Sequence, residues 1–159
     1  MFVGSHELTI DAKNRVSIPF SVRSKMNTDA DGRGFYVVPG RRPGTLAIHP
    51  EKPFEAARKA LPAADSLSAE AYEWRQWESA VAAFVDPDAQ GRILIPDRLL
   101  RKAGIRGEVT LAGVGSHLEL WNRADYTAFE DGKWPSYAQE REKAISEMNR
   151  LSADPARRT

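Results

Sequence analysis

The sequence has no cysteine among its 159 residues. Disulfide bridges and cysteine-based zinc sites are therefore excluded, and the composition fits a reducing compartment. No stretch approaches the roughly 18 uninterrupted apolar residues of a membrane span. The first seven residues carry neither a basic region nor an apolar run, so no signal peptide is predicted. These absences predict a soluble, cytoplasmic protein without a membrane partner.

An excess of one charge sign is also missing, since the formal net charge is only +1. Nucleic-acid binding would therefore require basic groups gathered on one face. The distribution is less even, because residues 1–50 hold seven Lys and Arg against four Asp and Glu. Residues 51–80 show the reverse, with four basic and six acidic residues.

Common catalytic patterns are absent as well. The sequence has no phosphate-binding Gly loop and no nucleophile elbow. His49 and His117 have no neighbouring carboxylate or nucleophile pattern. His6 and Glu7 lie close to Asp11, but adjacent strand residues point to opposite faces, which argues against a metal site. We predict no enzymatic activity, no cofactor, no metal and no small-molecule substrate.

What the chain does contain is one nine-residue motif written twice. One copy occupies residues 11–19 and reads DAKNRVSIP, and the other occupies residues 88–96 and reads DAQGRILIP. Asp11 and Asp88 are interpreted as turn-formers, because a carboxylate at the first position of a type I turn can accept from backbone N–H groups. Asn14 and Gly91 hold the fourth position, which suits a positive φ. Each motif therefore predicts the tip of a β-hairpin with a bulge.

A short helix is predicted after each motif. Pro19 and Pro96 end the second hairpin strand and open the helix at its first position. Asn27 and Gly104 suit the C-terminal caps of the two helices. Two further strands complete each unit, so the chain reads as two β-α-β-β units that share a core.

Helices are predicted between and after these units. Trp74 and Trp77 fall on the periodic apolar face of the connecting helix, which indicates core packing. Ser136 and Gln139 predict a capping box at the start of the last helix. The expected strands are 7–10, 16–18, 35–38, 45–48, 84–87, 92–95, 109–111 and 118–121, and the expected helices are 19–26, 52–61, 66–84, 96–103, 123–129 and 136–151.

The duplicated motif, the helix after each proline and the helix-rich connection together resemble the MraZ family over about residues 1–130. The hallmark of that family is a D-x-x-x-R motif in each half, matched here by Asp11 to Arg15 and by Asp88 to Arg92. The Met-Phe-x-Gly opening and the Ile-Pro step also match. Asn14 departs from the usual Gly but preserves the turn.

The resemblance implies an α+β fold of the AbrB/MazE-like class. In it, two tandem β-α-β-β units form a pseudo-symmetric swapped-hairpin, double-psi-like β-barrel with flanking helices. The expected domains are a SpoVT-AbrB-like repeat at 7–54, a helical connection at 55–82, a second repeat at 83–126, a helical extension at 127–151 and a disordered tail at 152–159.

The resemblance also implies a bacterial transcriptional regulator, taken here as a repressor. Its targets would be short tandem repeats upstream of its own operon in the division and cell-wall gene cluster. The expected partners are double-stranded promoter DNA and further copies of the chain in a homo-oligomeric ring, and the expected location is the cytoplasm, associated with the nucleoid. Two similar but unequal units can pair head to tail with a neighbouring copy, and such contacts make a ring when they close.

Arg15 and Arg92 are the first candidates for DNA contact. Arg binds phosphate or reads the guanine edge in the major groove, which admits a two-stranded ribbon. The alternative is that each Arg pairs with its own Asp, although an exposed pair contributes only about 0–1 kcal/mol. The candidate DNA-binding set is Lys13, Asn14, Arg15, Arg23, Lys25, Gln90, Arg92 and Arg101, while Arg41, Arg42 and Lys102 are either part of it or merely solvated.

Two other classes of function remain open at the level of sequence. One is a protein-binding antitoxin of the MazE type, which usually has one short barrel-forming unit and a disordered arm. The other is a ring scaffold that does not bind DNA. The two units and the helical connection favour the DNA-binding regulator over the antitoxin.

Overall fold

The computed structural model describes residues 1–153. The chain divides into two compact units, Met1–Arg123 and Ala124 onward, which are described separately. Of the predicted tail, Ser152 and Ala153 continue the last helix, and residues 154–159 lie outside the described residues.

The first unit is a mixed α+β structure. Its strands are β1 (Ser5–Thr9), β2 (Arg15–Ser17), β3 (Phe35–Pro39), β4 (Thr45–Pro50), β5 (Ala83–Val85), β6 (Arg92–Leu94), β7 (Glu108–Gly113) and β8 (Leu118–Asn122). Its helices are α1 (Phe20–Arg23), α2 (Thr28–Asp31), α3 (Glu51–Lys59), a 3-10 turn (Ala64–Ser66), α4 (Ala69–Val81) and α5 (Asp97–Ala103). The helix α6 (Arg123–Lys133) begins at Arg123, the last residue of this first unit.

The strands form two antiparallel sheets. Six of them make one sheet in the order β1-β7-β8-β4-β3-β5, and β2 and β6 make a separate two-stranded ribbon. Within residues 1–153 the six-stranded sheet keeps two open edges, β1 and β5, and no closed barrel is found.

The predicted hairpins are wrong in their strand pairing. Each motif closes its own turn, with Asp11 N donating to Arg15 O (3.0 Å) and Asp88 N to Arg92 O (2.8 Å). The flanking strands then diverge: β1 pairs with β7, β5 pairs with β3, and β2 pairs with β6. The residues of a turn determine the backbone conformation of only a few positions. Which strand pairs with which depends instead on burial of side chains in the core. The two repeats are consequently interleaved.

The core lies beneath the ribbon and draws on both repeats. Val16 and Ile93, directly opposite each other, are fully buried, as are Ile18 and Ile95. Burying such a side chain stabilises the fold by roughly 1.5–3 kcal/mol. The same cluster contains Phe35, Ile48, Val109, Leu111, Leu118 and Leu120 from the six-stranded sheet. Neither repeat can complete this core alone.

The helix caps agree with the sequence in one place and differ in another. Gly104 closes α5 with φ 67°, as predicted. Asn27 was expected to end α1, but it has φ −113° and begins α2. Its side-chain oxygen accepts from Asp29 N at 2.8 Å and from Ala30 N at 3.3 Å. Asn is favoured at both ends of helices, and here the unsatisfied N–H groups of α2 decide its role.

The prediction that Trp74 and Trp77 pack in the core is wrong. Their exposed fractions are 51% and 52%. Both side chains line an open groove of about 710 Å³ together with Phe54 and Leu61. The guanidinium of Arg58 lies 4.8 Å from the Phe54 ring and 5.6 Å from the Trp74 ring. Helical periodicity therefore identified an apolar face, but not a covered one.

The second unit contains the rest of α6 and the helix α7 (Tyr137–Ala153). The Ser136 hydroxyl donates to Glu140 Oε1 at 2.6 Å instead of accepting from a helix N–H, so it does not form the capping box predicted with Gln139. Glu140 also pairs with Lys133. No helix within the described residues is both long and apolar enough to cross a bilayer.

Candidate nucleic-acid interface

The two repeated turns have the same internal geometry. Asp11 Oδ1 accepts from Lys13 N and Arg15 N, both at 2.9 Å. Asp88 Oδ1 accepts from Gln90 N at 2.9 Å and from Arg92 N at 3.0 Å. The fourth residues are left-handed, with φ 59° at Asn14 and 77° at Gly91. Each carboxylate thus orders the backbone that leads into an arginine.

Each arginine also pairs with the aspartate of its own turn. Arg15 Nε donates to Asp11 Oδ2 at 2.7 Å, and Arg92 Nε donates to Asp88 Oδ2 at 2.8 Å. The arginine side chains are 29% and 32% exposed, less than the hairpin tips implied. A guanidinium has five N–H donors in a fixed fork, so the carboxylate orients it without using all of them.

The pairing keeps both carboxylates ionised. The Arg92 side-chain hydrogen bond, followed by the backbone N–H of Arg92, lowers the pKa of Asp88 to about 2. The backbone N–H of Arg15 is the main cause of the lowered pKa of Asp11. Each turn therefore carries a compensated ion pair at neutral pH, and the aspartates add no uncompensated negative charge.

The ribbon brings the two arginines to one surface. In its register Arg15 lies opposite Leu94, Val16 opposite Ile93 and Ser17 opposite Arg92. Strand alternation sends Val16 and Ile93 inward, so the other four side chains share the outer face. Arg15 and Arg92 lie diagonally across that face, with Cα atoms roughly 8 Å apart by strand geometry. We call the outer side chains of Arg15, Ser17, Arg92 and Leu94 the ribbon face.

The turns sit at opposite ends of the ribbon. Ile95 N donates to Asn14 O, and Ile18 N donates to Gly91 O, both at 2.9 Å. Each turn is thereby bonded to the strand of the other repeat. Lys13 and Gln90 are exposed at the two ends. The sequence predicted two separate tips, and the structure instead makes them the ends of one surface.

Arg23 belongs to the end formed by the second turn. Its Nε donates to Ile18 O at 2.9 Å, and a Cβ added to Gly91 would lie 2.3 Å from that same nitrogen. Its guanidinium lies 5.8 Å from the Phe20 ring. Arg23 therefore fills the space that glycine leaves open at this turn.

The remaining candidates are placed unequally. Arg101 lines a cavity with Asp11 and Asn14 beside the first turn, and its Nε pairs with Asp97 Oδ2 at 2.6 Å.

Lys25 lies instead in a shallow cavity lined by Phe2 and His6. Arg41 lines the open groove beside Trp74, and the Arg42 guanidinium lies 5.8 Å from the Trp121 ring. Lys102 is exposed on α5.

Two of the histidines lie together at the edge of the open groove. His49 and His117 stack with ring centroids 4.4 Å apart, and burial lowers the pKa of His49 to about 4. His117 also has a lowered pKa through burial. Across residues 1–153, no group of three or more His, Asp or Glu side chains is arranged to hold a metal.

Sequence reasoning missed two exposed apolar residues near the arginines. Leu94 is 55% exposed on the ribbon face, and Phe20 is 73% exposed at the start of α1. The alternation of β6, with Ile93 inward, could have placed Leu94 outward. No sequence signal distinguishes an exposed Phe20 from a buried one.

Comparison with known proteins gives a consistent result. A family described as "MraZ protein, putative antitoxin-like" matches residues 80–148. A protein of Burkholderia mallei (strain SAVP1) called transcriptional regulator MraZ is 39% identical over 130 residues, covering 82% of this chain and 88% of the relative. Its namesake from Burkholderia pseudomallei (strain 668) matches to the same extent. The Paraburkholderia xenovorans protein of that name is 40% identical over 131 residues, with the same coverage.

Proposed function

The chain belongs to the MraZ family, and from that membership we propose that it is a DNA-binding transcriptional regulator whose ribbon face contacts the double helix. The relatives carry the name of transcriptional regulator, which supports the general role. The observation that carries the DNA-binding part is the placement of Arg15 and Arg92 on one outer face by the register of β2 and β6.

The ribbon suits the major groove. That groove is about 12 Å wide and admits a two-stranded β-ribbon. An antiparallel pair of strands presents its outer side chains in two rows, so Arg15 and Arg92 can reach neighbouring base pairs or the phosphates beside them. The inner residues Val16 and Ile93 hold the ribbon on the core, which fixes the direction in which it projects.

Local charge supports the same surface. The aspartates are matched by their own arginines, so Lys13 at one end and Arg23 at the other give the ribbon a positive balance. The overall charge of +1 provides no such field. Attraction to phosphate would then depend on this arrangement, and it would weaken as salt rises.

The finer parts of the proposal follow the family resemblance. We propose that the targets are tandem repeats upstream of the chain's own operon, in the division and cell-wall gene cluster, and that occupancy represses transcription. We further propose a ring of identical subunits, a swapped-hairpin barrel class for the interleaved repeats, and a location in the cytoplasm at the nucleoid. A ring would repeat the ribbon face at regular intervals, which matches sites in tandem.

A protein-binding role is the second candidate. It is favoured by the antitoxin-like description of the family and by the exposed Trp74 and Trp77 in the open groove. Exposed apolar patches of this kind mark protein interaction sites. This role and DNA binding use different surfaces and can be tested separately.

The decisive experiment is a titration of the full chain on DNA from upstream of its own gene. Arg15→Ala and Arg92→Ala should each weaken binding roughly 5- to 150-fold, which corresponds to about 1–3 kcal/mol for a specific arginine contact. Lys59→Ala removes an exposed charge on α3 and is the matched control, with affinity expected to stay at the wild-type value.

One ambiguity needs a further variant. Arg15→Ala alone leaves the Asp11 carboxylate unpaired, and its repulsion of phosphate would exaggerate the effect on affinity. Asp11→Asn/Arg15→Ala removes both charges and keeps an oxygen that can accept from the turn. Weak binding by this double variant would support direct contact by Arg15. Wild-type affinity in both arginine variants, or a salt response with no slope, would contradict the proposal and leave the scaffold or protein-binding role.

A further inference from the structure

Two exposed apolar side chains accompany the arginines of the candidate interface. Leu94 lies on the ribbon face, directly opposite Arg15 and on the same strand as Arg92. It is 55% exposed, although it stands between charged groups on a face that is otherwise polar. A single exposed leucine is ordinary on a protein surface. Its position between two arginines is the feature that needs an explanation.

Phe20 adds a second apolar group at one end of the ribbon. Its ring is 73% exposed, and the guanidinium of Arg23 lies 5.8 Å from it. Arg23 in turn bonds to Ile18 O and fills the space beside Gly91. Phe20, Arg23 and the second turn therefore form one continuous patch.

Neither apolar residue is repeated in the other half of the chain. In the register of the two motifs, Leu94 corresponds to Ser17 and Phe20 corresponds to Asp97. Asp97 forms an ion pair with Arg101 instead of exposing an apolar surface. The two ends of the ribbon therefore differ chemically, although their backbones are alike.

We propose that Leu94 and Phe20 contact the 5-methyl groups of thymines in the major groove. The inference rests on the proposed DNA-binding function and extends it to base preference. The thymine methyl is the apolar group that base pairs display in that groove, and apolar side chains contact it. Leu94 lies beside Arg15 and Arg92, and the Arg23 guanidinium lies 5.8 Å from the Phe20 ring. Guanidinium N–H donors next to each apolar residue favour DNA over an apolar protein partner. Because the contacts differ between the repeats, the ribbon would bind an asymmetric site in one direction.

The test removes the methyl groups without altering base pairing. The upstream DNA is amplified with dUTP in place of dTTP, and the affinity of the full chain for the uracil and thymine fragments is measured at the same salt concentration. The wild type should bind the uracil fragment about fourfold more weakly for each thymine methyl group that it buries in the thymine complex. This is the change in affinity expected from burying one methyl-sized apolar group. Leu94→Ser and Phe20→Ala should each weaken binding to thymine DNA and bring the ratio of affinities closer to one.

The double variant Leu94→Ser/Phe20→Ala should bind the two fragments equally. Lys59→Ala changes an exposed charge on α3, outside the ribbon face, and should keep the wild-type ratio. Equal binding of both fragments by the wild type would overturn the inference. Variants that bind more weakly but retain the wild-type ratio of affinities would also overturn it. A change of oligomer size on a gel-filtration column, with no change in that ratio, would likewise overturn it, because Leu94 and Phe20 would then contact another copy of the chain.

The inference and the proposed function fail in different ways. If the wild type binds the thymine fragment with an arginine-dependent, salt-sensitive affinity and ignores the methyl groups, only the inference is wrong. If the wild type binds neither fragment, both are wrong.

Discussion

Substitution of Gly91 tests whether the second turn and Arg23 pack together as described. It has φ +77°, and a Cβ placed on it would lie 2.3 Å from Arg23 Nε and 2.5 Å from Arg23 Cζ. The substitution Gly91→Ala therefore has two separate consequences. The backbone must hold an L-residue in the left-handed region, and the Arg23 side chain must leave its place beside the turn.

Both consequences have a magnitude. The left-handed conformation costs an L-residue roughly 1–2 kcal/mol. Moving Arg23 breaks its hydrogen bond to Ile18 O, which is 2.9 Å long, and a hydrogen bond from a charged group contributes about 1.5–3 kcal/mol. The free energy of unfolding should therefore fall by about 2.5–5 kcal/mol. The lower end is expected, because Arg23 is a flexible side chain with partial exposure to water.

The assay is urea unfolding followed by circular dichroism at one fixed protein concentration, since subunit association would otherwise shift the midpoint. In an Arg23→Ala background, Gly91→Ala should cost only the backbone part, about 1–2 kcal/mol. Asn14→Gly provides the matched control at the other turn, where φ is 59°, and should change stability by less than about 1 kcal/mol. An equal cost of Gly91→Ala in both backgrounds would refute the packing of Arg23 against this turn.

Four further predictions concern stability and binding. The folded-state pKa of Asp88 is about 2 and its ordinary value is 3.8. The ionised carboxylate therefore stabilises the fold above about pH 4, and this stabilisation is lost as the pH falls toward 2. In Asp88→Asn the midpoint of urea unfolding should depend less on pH between those two values. Ile93→Ala should lower the free energy of unfolding by about 2–5 kcal/mol, measured by the same assay. Ser68→Ala removes the acceptor for Ala71 N at the start of α4 and should cost about 1 kcal/mol, with an unchanged midpoint counting against the cap. Lys13→Gln should reduce the salt slope of DNA binding by about 0.9, and an unaltered slope would remove Lys13 from the phosphate contacts.

Local chemistry made part of this fold predictable. Asp at the first position of each motif and Asn14 or Gly91 at the fourth specify a turn through hydrogen bonds within five residues. Gly104 is recognisable as a helix end for the same reason, because few residues tolerate its φ of 67°. The strands predicted at 35–38 and 118–121 lie inside β3 and β8. The aromatic and β-branched residues of the first, and the Leu-Glu-Leu alternation of the second, suit a pleated strand.

Strand partnership was beyond the reach of local patterns. Two strands joined by a tight turn ordinarily pair with each other, yet β2 pairs with β6. The choice depends on which arrangement buries Val16 and Ile93 together, and those residues are 77 positions apart. The same limit applied to the candidate site. The sequence supplied Arg15 and Arg92 as candidates but could not show that they share one face.

Ambiguous residue preferences caused the other errors. Asn27 suits either end of a helix, and the choice was decided by the N–H groups of the following turn. Trp74 and Trp77 lie on an amphipathic face, but amphipathicity does not reveal whether anything covers that face. Leu94 is the missed residue that the sequence could have identified as exposed. Adjacent strand residues point to opposite faces, so Leu94 points outward when its neighbour Ile93 points into the core.

The interleaving of the repeats also bears on how the chain is made. Ser5 at the start of β1 pairs with Ala112 in β7, so the ribosome must release most of the polypeptide before that edge of the sheet can form. During synthesis at about 5–20 residues per second, Val16 waits several seconds for Ile93 to emerge. Contacts so distant in sequence fold slowly. A gene cut within the linker at residues 60–68 would yield two halves that fold only when they are produced together.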